Sequence, residues 1–210
     1  CNIYFYEIGW QLSQVNGSYN SDVGVEKLKK YAEKFGFSEL SGIELPTADY
    51  YKPTISDTDA VRSAIGQGSN NYTPANLAKY VTGVANSGVV YDLSIMSKIV
   101  DVDGNVVKSF EPVVYNDDLT SAKSSTWNAV HTGMNLVVNG SNSSVKKYFK
   151  GLDVEVAGKT GTAQESKSKP NHALFVSYAP YNDPEITVTA VIPNGYTSSN
   201  AAEIASNVLF

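Results

Sequence analysis

The sequence predicts an α+β fold in which an antiparallel sheet carries packed helices. Helical apolar periodicity fills the middle of the chain, the strand-forming runs HALFVSYAP and EITVTAVIP come late, and no repeat or low-complexity tract interrupts them. The 210 residues suffice to bury one large core or two small ones. With 42% hydrophobic and 18% charged residues and 14 Tyr, the composition is that of a folded domain with an aromatic-rich, sparsely charged surface. The formal net charge of -5 argues against nucleic acid or an anionic membrane as the main partner, because neither attracts an acidic chain. Lys27, Lys29 and Lys30, and again Lys146 and Lys147, read as solvated helical faces. No apolar run is long enough to cross a bilayer, and the start lacks a signal peptide's basic-then-apolar profile, so a mature form or a fragment is expected. The single cysteine, Cys1, excludes an intrachain disulfide. A first-position cysteine also suits a lipid-anchored chain, but CNIYFYEIGWQL enters an apolar pattern at once, where an anchor needs a polar tether.

In order along the chain, residues 2–15 read as a helix with much apolar surface and NGSYNS, 16–21, as a loop. A second helix follows, with Asp22 as cap, Val25, Leu28, Ala32 and Phe35 on one face, and Gly36 as stop. Residues 37–54 have no period and hold two prolines, which reads as a long surface connection. A short helix is expected around 57–64. Thr73-Pro74 then starts a longer one, because a capping hydroxyl precedes a proline whose missing N–H costs nothing at the first helical position. Leu77, Val81 and Val84 form its stripe and Gly88 ends it. SKIVDVDGNVVKSF reads as a hairpin near 95–110 turning at Asp103-Gly104. Thr120 or Ser121 can cap the next helix, whose stripe is Trp127, Val130, Met134 and Val137 and whose stop is near Gly140. Leu152, Val154 and Val156 alternate with polar residues into KTGTA, the two late strands follow, and AAEIASNVLF closes as a helix. The chain is thus mainly helical over about 1–150, with a strand meander and closing helix over about 151–210.

The run Gly158-Lys159-Thr160-Gly161-Thr162 suits neither a helix interior nor a packed strand, and two chemistries compete for it. A phosphate-binding loop needs G-x-x-x-x-G-K-[ST] followed directly by a helix, so that backbone N–H groups and the helix terminus face the phosphate. Position 153 is Asp, and Gly161 and the polar loop ESKSKPN follow instead of a helix, so both requirements fail. Acyl transfer at a serine uses every residue. A strand lining a cleft can pair with an extended peptide, and Lys159 supplies positive charge near nucleophile and substrate carboxylate. Gly161 admits substrate backbone, the Thr160 and Thr162 hydroxyls can bind a carboxylate, and the Thr162 N–H can face an oxyanion.

At these residues the chain resembles monofunctional, class B penicillin-binding proteins, which carry K-T-G together with S-x-x-K and S-x-N. FGFSELSGIELP (35–46), AIGQGSNNYTPANLA (64–78), GMNLVV (133–138) and NHALFVSYAP (171–180) are similar to family segments and occur in family order across nearly the whole chain. The IGQG form is closer to elongation-type than to division-type members. CNIYFYEIG looks like the S-x-N motif without its serine, with Cys1 as the variable residue and Asn2 as the asparagine.

The resemblance implies that residues 1–210 are the C-terminal part of one transpeptidase domain with the penicillin-binding, serine transpeptidase fold. It implies D,D-transpeptidation of peptidoglycan stem peptides ending in D-Ala-D-Ala, inhibition by β-lactams, and a nucleophilic serine on an upstream segment that acts as an obligatory partner. It further implies a membrane glycosyltransferase partner, and a location on the extracytoplasmic face of a bacterial plasma membrane with the anchor outside this chain. Asn2 would hold the acyl-side amide, Lys159 would tune the proton relay and local potential, Thr160, Gly161 and Thr162 would bind substrate, and the Thr162 N–H would complete the oxyanion hole. A serine β-lactamase of the same superfamily and a non-catalytic β-lactam sensor are the competing readings, and IGQG-x-x-x-x-TP argues against the first.

Local S-x-x-K matches at Ser143–Lys146, Ser144–Lys147 and Ser166–Lys169 have the wrong order and context and are set aside, as are S-x-N matches at 18–20, 69–71 and 198–200. His131, beside an apolar stripe, is expected to be structural. No cofactor is required, but a thiol at Cys1 and His172, after the K-T-G loop, form a candidate zinc pair.

Overall fold

The computed structural model describes residues 2–45 and 52–210 and divides into two compact units, Cys1–Lys79 with Val89–Asp118, and Tyr80–Gly88 with Leu119–Phe210.

The first unit opens with α1 (Asn2–Leu12) and a small hairpin, β1 (Gln14–Val15) against β2 (Ser18–Tyr19). The predicted helix over 2–15 therefore stops early, and the predicted loop is a turn. Asn16 and Gly17 have φ of 51° and 82°, the positive values that an Asn-Gly pair supplies for a tight hairpin. In α2 (Ser21–Lys34) the cap is Asn20, not Asp22, because its side chain accepts the N–H groups of Asp22 and Val23 at 3.0 and 3.5 Å. The short α3 (Ala60–Ser63) is capped by Asp59 and packs on α1 and α2. Close approach explains the helical glycines. A Cβ on Gly9 would stand 2.8 Å from the Ala60 carbonyl oxygen, and one on Gly24 would collide with Ser13 and Ala60.

Helix α4 (Pro74–Ala85) starts as predicted, with Thr73 Oγ1 accepting the Asn76 N–H at 3.1 Å. Buried Asn76 donates its amide to the Glu39 carbonyl at 2.9 Å. Lys79 is 0% exposed, and its ammonium lies 2.6 Å from Asp92 Oδ1 and 3.7 Å from the centre of the Tyr115 ring. Gly36 lies against the same side chain, where a Cβ would stand 2.9 Å from Lys79 Cε.

Strands β3 (Val90–Tyr91) and β6 (Val114–Asn116) pair antiparallel, a ladder too short to show as alternation in sequence. Between them β4 (Lys98–Val100) and β5 (Val106–Ser109) form the predicted hairpin. Its turn is longer than Asp103-Gly104, because the Asp101 carboxylate accepts the N–H groups of Asp103 and Asn105 and the Asn105 side-chain amide, all within 3.0 Å. These bonds hold the Asp101 carboxyl below the usual range.

The second unit holds α5 (Ser124–Asn139), the strands β7 (Ala157–Ala163), β8 (His172–Ala179) and β9 (Ile186–Ile192), and α6 (Ser198–Leu209). The strands form the predicted antiparallel meander in the order β7-β8-β9. Ala201, Ala202 and Ala205 of α6 pack closely on Ala173, Phe175, Ala179 and Ala190 of the sheet, a contact that small side chains permit. Thr197 caps α6, which therefore starts ahead of the predicted AAEIASNVLF.

Three predictions in this unit need correction. Helix α5 starts after Thr120 and Ser121 because Asp118–Ser121 forms a separate 3-10 turn. Its inward face holds Trp127, His131, Met134 and Val138, while Val130 is 39% exposed. His131 belongs inside because both ring nitrogens have partners, Tyr178 Oη at 2.6 Å and Ser87 Oγ at 3.0 Å. Burial pushes the His131 pKa down and that of Tyr178 up to about 12. The strand predicted from Leu152 begins only at Ala157. The groups before it are spent elsewhere: Asn139 donates to the Val156 carbonyl at 2.8 Å, and the Tyr181 N–H to that of Glu155 at 2.7 Å.

Candidate active site

The K-T-G-T run lies entirely within β7, which among the described residues pairs with β8 alone and so leaves one edge open. Register places Lys159 opposite Val176, Thr160 opposite Phe175, Gly161 opposite Leu174 and Thr162 opposite Ala173. Side chains alternate along a strand, so Lys159 and Gly161 share one face, and Gly158, Thr160 and Thr162 share the face of Ala173 and Phe175. Glycine at 158 is required by packing, since a Cβ there would stand 2.5 Å from Phe175 Cζ. At Gly161 a Cβ would press on Leu174 Cβ at 3.1 Å, a reason for glycine inside the sheet in addition to any bound peptide.

Lys159 donates from Nζ to the Thr160 carbonyl at 2.8 Å. Its side chain reaches solvent, yet surrounding protein atoms desolvate the ammonium and pull its pKa below the ordinary 10.5. The hydroxyls of Thr160 and Thr162 form no hydrogen bond with the described residues, so both remain for a ligand at the open edge. The remaining predicted residue, Asn2, is the exposed first residue of α1 in the first unit.

Cys1 lies outside the described residues, and with it the proposed metal pair. His172 opens β8, where its Nδ1 accepts the Asn194 N–H at 3.0 Å and its Nε2 faces Glu165 at 3.6 Å, so the neutral ring keeps its proton on Nε2. Among the described residues no group of three or more His, Cys, Asp or Glu is placed to hold a metal ion.

In the local S-x-x-K matches every member but Ser144 has a structural partner. Ser143 Oγ donates to the Val137 carbonyl at 2.6 Å and accepts the N–H groups of Val145 and Lys146, while Lys146 Nζ caps the Asn139 carbonyl at 2.8 Å. Lys147 lies over the Tyr148 ring, and Ser166 bonds to Ser168. In the S-x-N matches, Asn20 caps α2, Ser69 bonds to Ser56 and Asp57, and Asn200 donates to the Gly195 carbonyl.

Strand β7 also borders a cavity that no sequence motif marks. A pocket of about 410 Å³ lies between the C-terminal turn of α5 and Thr160, lined by Leu136, Val137, Ser141, Asn142 and Ser144 among others. Gly140 makes it: a Cβ there would stand 2.5 Å from the Leu136 carbonyl oxygen, so only glycine lets the chain fold back over the end of the helix. The sequence signal was a helix-stop glycine followed by four consecutive small polar residues, SNSS.

Comparison with known proteins identifies the family and the fold. The family model described as penicillin binding protein transpeptidase domain matches residues 1–209. The peptidoglycan D,D-transpeptidase MrdA of Haemophilus influenzae is 32% identical over 233 residues, which cover 98% of this chain and 34% of the relative. The MrdA of Escherichia coli K12 is 26% identical over 91% of this chain and 32% of its own length. Among solved structures, penicillin-binding protein 2B of Streptococcus pneumoniae R6 matches with a TM-score of 0.83 and 25% identity, over 99% of this chain and 36% of that one. The chain thus spans about a third of the length of the curated relatives it matches.

Proposed function

The chain belongs to the penicillin-binding protein transpeptidase domain family, of the elongation type to which the MrdA relatives assign it, and from that premise we propose that it forms the substrate-strand half of a peptidoglycan D,D-transpeptidase. The observation that carries this is the edge strand β7, which presents a desolvated lysine and two uncommitted threonine hydroxyls along an open peptide-binding edge.

A stem peptide ending in D-Ala-D-Ala extends along β7 as an added strand. A serine on a segment outside these residues attacks the penultimate D-Ala carbonyl. Its O–C bond forms, the C–N bond to the terminal D-Ala breaks, and the serine proton passes to the departing amine. An amine of a second strand then forms a new C–N bond, the ester C–O bond breaks, and the amine's proton returns to the serine oxygen. The Thr162 N–H faces the oxyanion, the Thr160 and Thr162 hydroxyls take the terminal carboxylate, Lys159 supplies the positive field, and Asn2 holds the acyl-side amide. β-Lactams acylate the same serine. The substrate places the reaction outside the bacterial plasma membrane, with a membrane glycosyltransferase as the partner that supplies glycan strands. No helix among the described residues is long and apolar enough to cross a membrane.

The test is release of D-Ala from a synthetic stem peptide by this chain joined to the segment bearing S-x-x-K. Release by the joined protein and not by residues 1–210 alone is expected; release by residues 1–210 alone, or rapid penicillin hydrolysis without D-Ala release, contradicts the assignment.

A further inference from the structure

We propose that the pocket between the end of α5 and Thr160 is the acceptor subsite, which receives the amine-bearing side chain of the second stem peptide. This rests on the transpeptidase reading above. With the scissile carbonyl at the Thr162 N–H and the terminal carboxylate at the threonine hydroxyls, the bound peptide's last residue points from Thr162 toward Thr160. The pocket is the space just beyond. The D-Ala amine leaves on that side. Acyl transfer repeats the first step in reverse with another amine, so microscopic reversibility brings the acceptor in along the path on which D-Ala departs.

The pocket's size and chemistry fit that guest. Its volume of about 410 Å³ lies in the range of pockets that enclose sizeable ligands, far beyond the needs of one alanine. Its wall is the C-terminal end of the 16-residue α5, where aligned peptide dipoles place partial negative charge. The chain already uses that end to hold an amine, since Lys146 Nζ donates to the Asn139 carbonyl. Ser141, Asn142 and Ser144 line the opening, and their side chains form no hydrogen bond with the described residues. Ser143 alone is spent, on the Val137 carbonyl. The lining contains no carboxylate, which would hold the incoming amine in its protonated, non-nucleophilic form.

The test uses the joined, S-x-x-K-bearing protein with a stem-peptide donor and a diamino-acid peptide as acceptor, and compares transfer with hydrolysis and with acylation by penicillin. Ser144→Phe fills the pocket and Asn142→Ala removes an amide without adding bulk. The transfer-to-hydrolysis ratio is expected to fall about tenfold in the first and about threefold in the second, with a raised apparent KM for the acceptor and a smaller change in acylation. An unchanged ratio in both variants overturns the subsite, and so does a parallel fall of acylation and transfer in both, which places the pocket on the donor side. Failure of the unsubstituted protein to release D-Ala defeats the transpeptidase reading itself, before any variant is compared.

Discussion

Replacing Lys159 by alanine is expected to lower the rate of serine acylation, by β-lactam or stem peptide, by about a hundredfold or more, the usual cost of removing one preorganised electrostatic group from an acyl-transfer site. Lys159 sits on the open edge strand, and desolvation weakens water's competition for its charge. The same desolvation has a pH consequence. A lysine pKa pulled below 10.5 means that the charge is lost at lower pH than for a free side chain. Acylation is therefore expected to fall on the alkaline limb through a pKa below 10.5, and Lys159→Arg, which stays charged, to retain more activity than alanine and to shift that limb upward. Equal activity of Lys159→Ala and the parent, with an unchanged profile, would remove the lysine from the mechanism.

Asp92→Ala is expected to destabilise the first unit by about 3 kcal/mol, because it strands a charge that the fold has taken from water. Lys79 is fully buried, and its partners are the Asp92 carboxylate at 2.6 Å and the Tyr115 ring. The aromatic face attracts the ammonium but cannot replace a carboxylate. Replacing both members, Lys79→Met with Asp92→Ala, is expected to recover most of the loss, since an apolar pair of similar volume is often no less stable than a buried ion pair. Urea midpoints at constant slope measure both. A loss in Asp92→Ala below about 1 kcal/mol would mean that the ammonium relaxes into water and that the pair is decorative.

The parts legible in the sequence were those whose physics is local. The late strands announce themselves by β-branched and aromatic runs, Thr73-Pro74 by cap chemistry, and K-T-G-T by a lysine and two threonines set around glycine. The parts misread depend on distant partners. His131 looked like a residue beside the apolar stripe because nothing nearby shows that Tyr178, 47 positions away, satisfies its ring. Strands β3 and β6, of two and three residues, are too short for an alternation to stand out. In SNSS the four side chains look alike, and only the fold separates Ser143, consumed by the end of α5, from the neighbours that line the pocket. The strand before Ala157 failed for a similar reason, as Asn139 and Tyr181 claim the backbone groups a ladder would need.

On the proposed function, these residues supply the substrate strand while the nucleophile lies elsewhere. Intact-mass and peptide mapping after incubation with a fluorescent penicillin, on residues 1–210 alone and joined to the S-x-x-K segment, decides this division. A stable adduct only in the joined protein, on the serine of that segment, is the predicted result. An adduct on residues 1–210, at Ser143, Ser144 or Ser166, or none in either form, would contradict the claim.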